Sequence, residues 1–416
     1  MRDTLTESAR SAAQTALKHV QHIAGTIGPR PVGSKAEQEV ARYVHKQLAA
    51  AGLVPSHHGF VAPATEWLPF MIAAGAVALG VVLWLVFREG VAGPYLGAVG
   101  IGFGLWEVYA KLTFGWSPLS SLVPRRDTQN VVASIEPSEE VGRNAVVFAH
   151  LDSQRTPLLF RSHAALRVTL VVVYLMIAIG LVTLAAFVVS WFAEAALPAW
   201  VGIPALVVSV VGVLALLQAQ LSPYGPGAND NASAVGVALE LARYFESNRL
   251  RHTRLWFAFT GAEETGCHGA AAFLGAEGSE LIQAYAVALE GCGVEPPAYT
   301  LREGTVSRYR SSAELVRILE RMQAASPHLG LRPASIRGGY TEAGVAIKRG
   351  YRSVALVGLD ERGDMPYWHT MADTPDKIRP EALAATWESM VGLLHGLDSL
   401  PISVRLTSVV PLSERT

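Results

Sequence analysis

The chain has 416 residues, of which 50% are hydrophobic and only 17% are charged. Soluble domains typically contain about 25% charged residues, so this composition disfavours a purely soluble protein and favours membrane segments. The formal net charge is −1, and we therefore expect no nucleic-acid partner. Its two cysteines are too few for the disulfide framework of a small secreted protein.

The N-terminal segment, Met1 to Val20, is polar and helical in pattern. A secretory signal peptide requires an apolar central stretch, which this segment lacks. The sequence therefore predicts that no signal peptide is present.

Two apolar blocks follow. Leu68 to Phe87 has no charged residue, and it is long enough to cross a hydrocarbon core of ~30 Å as a helix. Val91 to Thr113 is a weaker candidate because it contains Glu107 and Lys111, which are spaced to pair near the membrane edge. Two glycines of this block, Gly100 among them, have a spacing that permits close contact with another helix.

A second pair of apolar blocks lies further along the chain, at Val168 to Phe192 and Ala199 to Leu221. Neither contains a charged residue, and each is long enough to span a bilayer. Buried helices of a soluble core are the alternative interpretation, but ordinary core helices are shorter than several of these blocks. We therefore predict four transmembrane helices.

Short connections at Arg88 to Gly93 and Ala193 to Ala199 join the four blocks into two hairpins. We place these hairpins at residues 67–116 and 165–221. Both ends of a hairpin emerge on one side of the membrane, so all polar segments face the same compartment. Basic residues cluster near that side, at Lys111, Arg125, Arg126, Arg155, Arg161 and Arg167, whereas the opposite turns carry only Arg88. This asymmetry predicts a multi-pass cell-membrane protein whose polar domain is cytoplasmic.

The polar remainder, residues 1–66, 117–164 and 222–416, has the pattern of one α/β domain. Apolar strand-like runs alternate with helical patterns, which predicts a mostly parallel sheet flanked by helices. In such sheets, ligands bind beyond the carboxyl ends of the strands. The predicted strands are 130–135, 145–149, 254–260, 284–289 and 353–358, and the predicted helices are 230–245, 313–325 and 380–397.

Five potential metal ligands lie at the ends of these strands or in the following loops. Zinc binds imidazole nitrogen and carboxylate oxygen. One bridging carboxylate, together with one histidine and one carboxylate for each ion, provides for two ions. The sequence therefore predicts a dinuclear Zn²⁺ site whose ligands are His150, Asp230, Glu264, Glu290 and His369.

Two further acids have predicted catalytic roles. Glu263 adjoins a ligand and is free to act as a general base, which takes a proton from a water activated by two zinc ions. Asp152 lies two residues beyond His150 and is placed to accept the second imidazole N–H. Alone, each motif is also typical of a solvated loop, a surface pair or a helix cap. The prediction depends on their order and on their common placement at one sheet edge.

With these residues placed, the chain resembles the M28 family of zinc aminopeptidases. The segments AHLDS, GANDNASAVG, GAEETG, ALEGCG and HTMADTPDKI follow the order of the family, and residues 27–53 resemble its N-terminal helix–turn–helix entry. The resemblance implies that His150 and Glu290 hold one zinc ion. It also implies that Glu264 and His369 hold the other and that Asp230 bridges them.

The same resemblance implies that Glu263 is the general base, that Asp152 orients the histidine before it and that a cis peptide bond follows the bridging aspartate. Family members often carry Ser-Asp-His before the last strand, where this chain has Thr341, Glu342 and Ala343. No substrate contact is therefore carried over from that segment. The preceding Tyr340 is either an oxyanion contact or a packing residue, and we expect both cysteines to be small buried thiols.

The expected function is that of a membrane-bound metallo-aminopeptidase that acts on peptides with a free N-terminus. One alternative is a glutaminyl cyclase-like acyltransferase, which shares the fold but typically uses one zinc ion, so five ligands disfavour it. Another is a non-catalytic, peptidase-like protein for binding or transport, which the presence of Glu263 disfavours. The expected partners are the peptide and the lipid bilayer. The sequence indicates neither the preferred N-terminal residue nor the oligomeric state.

Overall fold

The computed structural model of the chain describes residues 4–281, 284–336 and 338–402. Its centre is a nine-stranded sheet in the order β1-β2-β4-β3-β5-β9-β6-β7, with β8 paired to β6. The strands are β1 Ser56–Pro63, β2 Arg125–Ile135, β3 Arg143–His150, β4 Thr253–Thr260, β5 Tyr285–Glu290, β6 Pro297–Glu303, β7 Tyr309–Arg310, β8 Arg332–Ser335 and β9 Arg352–Gly358.

The sheet is mixed, so the prediction of a mostly parallel sheet is wrong. Its centre, β4-β3-β5-β9, is parallel, but β1 pairs antiparallel with β2, β2 with β4 and β6 with β9. The central strands are nearly continuous apolar runs because both of their faces are buried. In contrast, β1 carries exposed polar residues and β6 begins with a proline, so neither has that pattern.

Helices cover both faces of the sheet. One face packs against α1, α2, α8, α10 and α12 in the larger core, and the other packs against α9 and α11 in a smaller core. The helices are α1 Glu7–Val20, α2 Lys35–Ala50, α3 Trp67–Phe87, α4 Ala92–Leu112, α5 Pro118–Leu122, α6 His163–Ala193, α7 Ile203–Leu221, α8 Ala234–Ser247, α9 His268–Ala276, α10 Ala313–Ala325, α11 Glu342–Lys348 and α12 Pro380–Asp398.

Local sequence signals account for several helix starts. The hydroxyl of Thr6 accepts a hydrogen bond from the backbone of Ala9 and caps α1. Ser34 caps α2 in the same way by accepting from Glu37 N, while the Glu37 carboxylate accepts from Gly33 N. This reciprocal arrangement is close to a capping box. A proline in the first turn of α12 fits that position because its missing N–H has no partner within the helix.

Three helices are long and apolar enough to cross a membrane among the residues that the structure describes: α3, the Ala199–Leu221 segment that contains α7, and α6. Only 28%, 22% and 17% of their most apolar windows are buried, so most of their apolar surface has no protein partner. Such exposure is not that of helices in a soluble core.

The prediction of four such helices is wrong for one of them, α4. Its many glycines and its two charged residues lower its mean hydropathy below that of the other three. The predicted pairing of these charges is also wrong. Lys111 Nζ instead lies 2.6 Å from the Glu66 carboxylate at the start of α3, and Glu107 accepts a hydrogen bond from the Ser117 hydroxyl.

The four long helices nevertheless form one bundle, in which α4 runs antiparallel to α3. The two helices approach closely where glycines meet, since a Cβ on Gly100 would lie 2.6 Å from the Cα of Gly80. Trp84 and Phe187 pack in the small bundle core, with ring centroids 4.6 Å apart. The Glu66–Lys111 ion pair shows that α3 starts and α4 ends at the same end of the bundle.

Candidate metal centre

The carboxyl ends of the central strands place the predicted ligands. His150 is the last residue of β3 and Glu290 the last residue of β5. Glu264 follows β4, and His369 lies in the loop after β9. Asp230 lies just before α8. Because the parallel strands end at one edge of the sheet, all five predicted ligands lie together there.

These side chains form two adjacent groups that share the Asp230 carboxylate. In the first group, His150 Nε2 lies 3.1 Å from Asp230 Oδ1 and 3.2 Å from Glu290 Oε1. In the second, His369 Nε2 lies 3.3 Å from Asp230 Oδ2 and 3.2 Å from Glu264 Oε2. Each oxygen of Asp230 therefore faces a different histidine, and each histidine has a second carboxylate of its own.

The electrostatics of the cluster favour bound cations. Burial raises the pKa of the Glu290 carboxyl well above its ordinary value, and nearby Asp230 raises it further. Burial also raises the pKa of Glu264. Burial alone would lower the pKa of His369, but the Glu264 and Asp230 carboxylates outweigh it and raise that pKa to about 10. Several carboxylates thus compete for a few protons in a space from which water is largely excluded.

The donor set fits zinc. Imidazole nitrogens and carboxylate oxygens are its usual protein ligands, together with cysteine sulfur. The ligand atoms of each group lie within 4.8 Å of one another. Glu264 Oε1 is buried and has no hydrogen-bond partner among the described residues, as expected for an oxygen that is available to a cation.

Asp152 supports the site differently from the prediction. The Nδ1 atom of His150 lies 3.1 Å from the backbone carbonyl oxygen of Asp152 and 3.6 Å from its carboxylate. The carboxylate accepts hydrogen bonds from the backbone N–H groups of Glu263 and Glu264, at 3.1 Å each. Asp152 is thus fully buried and links β3 to the loop after β4.

The predicted general base, Glu263, lies beside the two groups. Its Oε2 is 3.9 Å from His150 Nε2, and its Oε1 accepts a hydrogen bond from the Cys267 thiol at 3.0 Å. Burial raises the pKa of Glu263 well above its ordinary value, and the Glu290 and Glu264 carboxylates raise it further. Cys267 and Cys292 are both buried free thiols, as predicted.

Two residues that the sequence reasoning missed hold the backbone around the site. The Asp373 carboxylate accepts hydrogen bonds from Asn229 N at 2.6 Å and Asp230 N at 3.0 Å. The guanidinium of Arg30 is fully buried and donates to the carbonyls of Leu151 and Gly227, at 2.8 and 3.0 Å. Both residues belong to segments that resemble the family. The only signal that would have identified them is that each is a buried charge without a catalytic role.

The peptide bond between Asp230 and Asn231 is cis, as the resemblance implies. The Asn231 amide donates to the Leu289 carbonyl at 2.8 Å and lies 3.4 Å from Glu290 Oε2. The segment before α8 is therefore attached directly to the end of β5.

The segment that departs from the family pattern contacts the end of β4 and the segment after α4. Thr341 caps α11 by accepting from Ala343 N. Glu342 is fully buried and accepts a hydrogen bond from the Thr260 hydroxyl at 2.8 Å. Tyr340 packs edge-on against Phe114, with ring centroids 4.3 Å apart. These contacts favour a packing role for Tyr340.

The segment that leads into α6 lies against the site. The Gln154 amide donates to the Glu264 carbonyl at 2.9 Å, and its oxygen accepts from the Trp67 indole at the start of α3. The Phe160 ring packs on His369 and Trp368, with centroid distances of 4.7 and 4.9 Å. Phe160, just before the second hairpin, therefore contacts a ligand directly, whereas Trp67 of the first hairpin is linked to the site through Gln154.

Part of the chain matches a known protein family. Residues 211–394 match the profile of Peptidase family M28. The similarity to this family covers that range of the chain. The matched range contains Asp230, Glu264, Glu290 and His369, whereas His150 precedes it on the other side of the second hairpin. Among curated protein sequences, no match was found.

Solved structures share the α/β fold of this chain. An aminopeptidase from Aneurinibacillus sp. strain AM-1 superposes with a TM-score of 0.55 at 14% identity, over 93% of this chain and 94% of that one. The zinc aminopeptidase BSAP from Bacillus subtilis gives 0.55 at 14% identity, over 92% and 94%. A glutaminyl cyclase from Tannerella forsythia gives 0.53 at 16% identity, over 92% and 98%. At these identities the similarity concerns the fold.

Proposed function

We propose that the chain is a membrane-bound metallo-aminopeptidase with two zinc ions. The observation that carries this proposal is the Asp230 carboxylate, whose two oxygens face two different histidines. Each histidine is paired with its own carboxylate, Glu290 or Glu264. A site for one ion has no need of this duplicated arrangement. The M28 profile and the aminopeptidases of similar fold support the same assignment.

Different residues of the chain have different roles in the proposed reaction. Zinc, when bound by the five ligands, supplies a Lewis acid that polarises the scissile carbonyl and lowers the pKa of water. Glu263 lies beside the ligands and has a raised pKa, which suits a base that takes a proton from water and passes it to the leaving amine. Asp152 holds the Glu263 and Glu264 backbone in place.

The membrane location rests on the three long apolar helices and their exposed surfaces. In this proposal the M28 domain comprises residues 1–66, 117–164 and 222–416, and the helical hairpins at 67–116 and 165–221 lie in the cell membrane. The M28 domain faces the cytoplasm, in agreement with the basic residues on its side of the hairpins. Phe160 and Gln154 connect the second hairpin to the site, so peptides would approach along the membrane surface.

Glutaminyl cyclization is the competing activity, because structures of similar fold include glutaminyl cyclases. The two reactions differ in their products. An aminopeptidase releases a free amino acid from an unblocked peptide, whereas a cyclase releases ammonia from a peptide with N-terminal glutamine and leaves the chain intact. The presence of two ligand groups in the site favours the aminopeptidase.

Purified full-length protein in detergent tests the proposal. We expect about two zinc ions per chain and release of free amino acids from a panel of unblocked peptides. Glu263→Gln should lower kcat by a factor of about 10²–10⁴ while the zinc content stays unchanged, because a general base contributes about that much.

Glu320→Gln is the matched control, since Glu320 is exposed on α10, and it should keep full activity. Full hydrolysis by Glu263→Gln would refute the role of this residue. Ammonia release from glutaminyl peptides without free amino acids would instead establish the cyclase reaction.

A further inference from the structure

A cavity lies outside the metal centre, between the end of α4 and the helices α9 and α11. It has a volume of about 420 Å³. Of the fifteen residues that line it, four are lysines or arginines and none is acidic. The basic residues are Lys111, Arg125, Lys348 and Arg349.

Three of these cations have no carboxylate partner among the described residues. Lys111 forms an ion pair with Glu66, but Arg125 donates only to the Val61 carbonyl. Lys348 donates to the backbone carbonyl of Phe114 at 2.7 Å. Arg349 is exposed and has no ion pair in the described part of the chain. The cavity therefore has an uncompensated positive charge that would attract an anion.

A polar side chain in the cavity also lacks a partner. The Nε2 atom of His268 is buried and forms no hydrogen bond with the described residues. Burial, together with the positive charges of Lys111 and Arg125, lowers the pKa of His268 to about 4. A neutral imidazole can donate one N–H to an anion, so this unpartnered nitrogen is the second independent indication of a ligand.

Large apolar side chains lie around the cavity, at the end of the bundle where α4 joins the M28 domain. Trp116 lines the cavity and is 73% exposed, and Leu122 in the following helix is 79% exposed. Exposed tryptophan next to a basic cluster is typical of the headgroup region of a membrane.

We propose that this cavity binds the phosphate headgroup of an anionic membrane lipid. The phosphate would lie among Arg125, Lys348 and Arg349, and the acyl chains would extend past Trp116 toward the bundle. The proposal rests on the proposed insertion of the apolar helices. It places a lipid contact beside the catalytic loop, because Lys111 Nζ also donates to the Thr265 carbonyl at 3.3 Å, one residue beyond Glu264.

The experiment uses full-length protein in nanodiscs of phosphatidylcholine, with or without a minor fraction of phosphatidylglycerol. Lipids retained by the protein are counted by native mass spectrometry. We expect the protein to retain phosphatidylglycerol in preference to phosphatidylcholine. Lys348→Glu/Arg349→Glu should reduce that preference at least about tenfold, since each basic residue near an anionic surface contributes on the order of a fivefold change in affinity.

Arg10→Glu/Lys18→Glu on α1 is the matched control, because both residues are exposed and line no part of the cavity. A second pair of variants, Ser121→Glu and Ser121→Ala, adds a negative charge at an exposed lining residue or leaves the charge unchanged. Only the glutamate variant should lose the preference. Melting temperatures would show whether each variant is folded.

Equal retention of both lipids by the wild-type protein would overturn the proposal, as would equal preference in the wild-type and the double variant. Binding of inorganic phosphate without retention of phosphatidylglycerol would overturn the proposal that the bound phosphate belongs to a lipid. Failure of the wild-type protein to enter the discs would refute the membrane insertion itself, whereas entry without a lipid preference would refute only the headgroup site.

Discussion

Glu37 is a fully buried carboxyl group that belongs to α2 and is not one of the predicted ligands. It accepts hydrogen bonds from Gly33 N at 2.7 Å and from the Thr128 hydroxyl at 2.9 Å. Burial, together with the nearby Asp152 carboxylate, raises its pKa from 4.5 to about 8. The folded protein therefore retains a proton here that the unfolded chain releases.

This difference predicts how stability depends on pH. Between about pH 4.5 and 8 the folded state binds more protons than the unfolded state, so the free energy of unfolding falls as pH rises. Glu37→Gln should flatten this slope, because glutamine does not titrate. We expect the melting temperature of the wild-type protein to fall by several degrees from pH 5 to 8, since about 1 kcal/mol corresponds to roughly 2–4 °C.

Glu39→Gln on the exposed face of the same helix should leave the slope unchanged. Parallel profiles of the wild-type protein and Glu37→Gln would show that Glu37 does not titrate in this range. The comparison uses zinc-loaded protein in a single detergent, so that metal occupancy is the same in every sample.

The sequence predicted which side chains form the candidate site but did not predict all of their contacts. His150 and Glu290 could be placed because strand ends of a parallel core converge at one edge. The contact of Asp152 with two backbone N–H groups could not be predicted, because it depends on the conformation of the loop after β4. Asp373 was missed for a similar reason, since its partners lie more than 140 positions away in the chain.

Among the elements, the helices α3 and α4 depend on their glycines. A Cβ on Gly100 would meet the backbone of α3 at Gly80 and Ala76, at 2.6 and 2.8 Å. Backbone atoms cannot move aside as a flexible side chain can, so a larger residue must separate the helices.

Gly100→Leu should therefore destabilise the bundle by about 1–3 kcal/mol, the usual cost of overpacking. The measurement is the melting temperature of the detergent-solubilised protein, together with its resistance to proteolysis between α3 and α4. Gly75→Leu on α3 is the matched control, because a Cβ there meets no atom within 4 Å. Equal stability of the two variants would contradict the close packing of α3 and α4.

The elements differ in how well their sequences predict them. The block Leu68 to Phe87 matches α3 to within one residue, because a long uncharged run has few alternatives to a helix. The block Val91 to Thr113 matches α4 almost as closely, but it is less apolar than a typical membrane span. The outer strands β1, β6, β7 and β8 were missed, because strands with exposed residues lack a continuous apolar run.

For the whole molecule, the two hairpins enter and leave on the side of the α/β domain. The second hairpin turns at Ala193 to Ala199, and the C-terminal end of α7 returns to the domain through a hydrogen bond between the Thr65 hydroxyl and Gln220 at 2.6 Å. The turn and the domain therefore lie at opposite ends of the bundle, and in a bilayer they would face opposite compartments.

Cysteine labelling tests this orientation. Glu194→Cys in the exposed turn should react with a membrane-impermeant maleimide in intact cells, whereas Glu320→Cys on the M28 domain should react only after permeabilisation. The two native cysteines are buried and should contribute little background. The reverse labelling pattern would place the M28 domain outside the cytoplasm.

The second hairpin also separates the residues of the candidate site in time during synthesis. The ribosome produces His150 at the end of β3 before α6 and α7, and it produces Asp230 and the neighbouring strand β4 only after them. The parallel pairing of β3 with β4 is a contact of high sequence separation. It must therefore wait until both helices have been synthesised. Synthesis of the hairpin thus precedes assembly of the candidate metal centre, so a nascent chain lacks a complete site until both helices have left the ribosome.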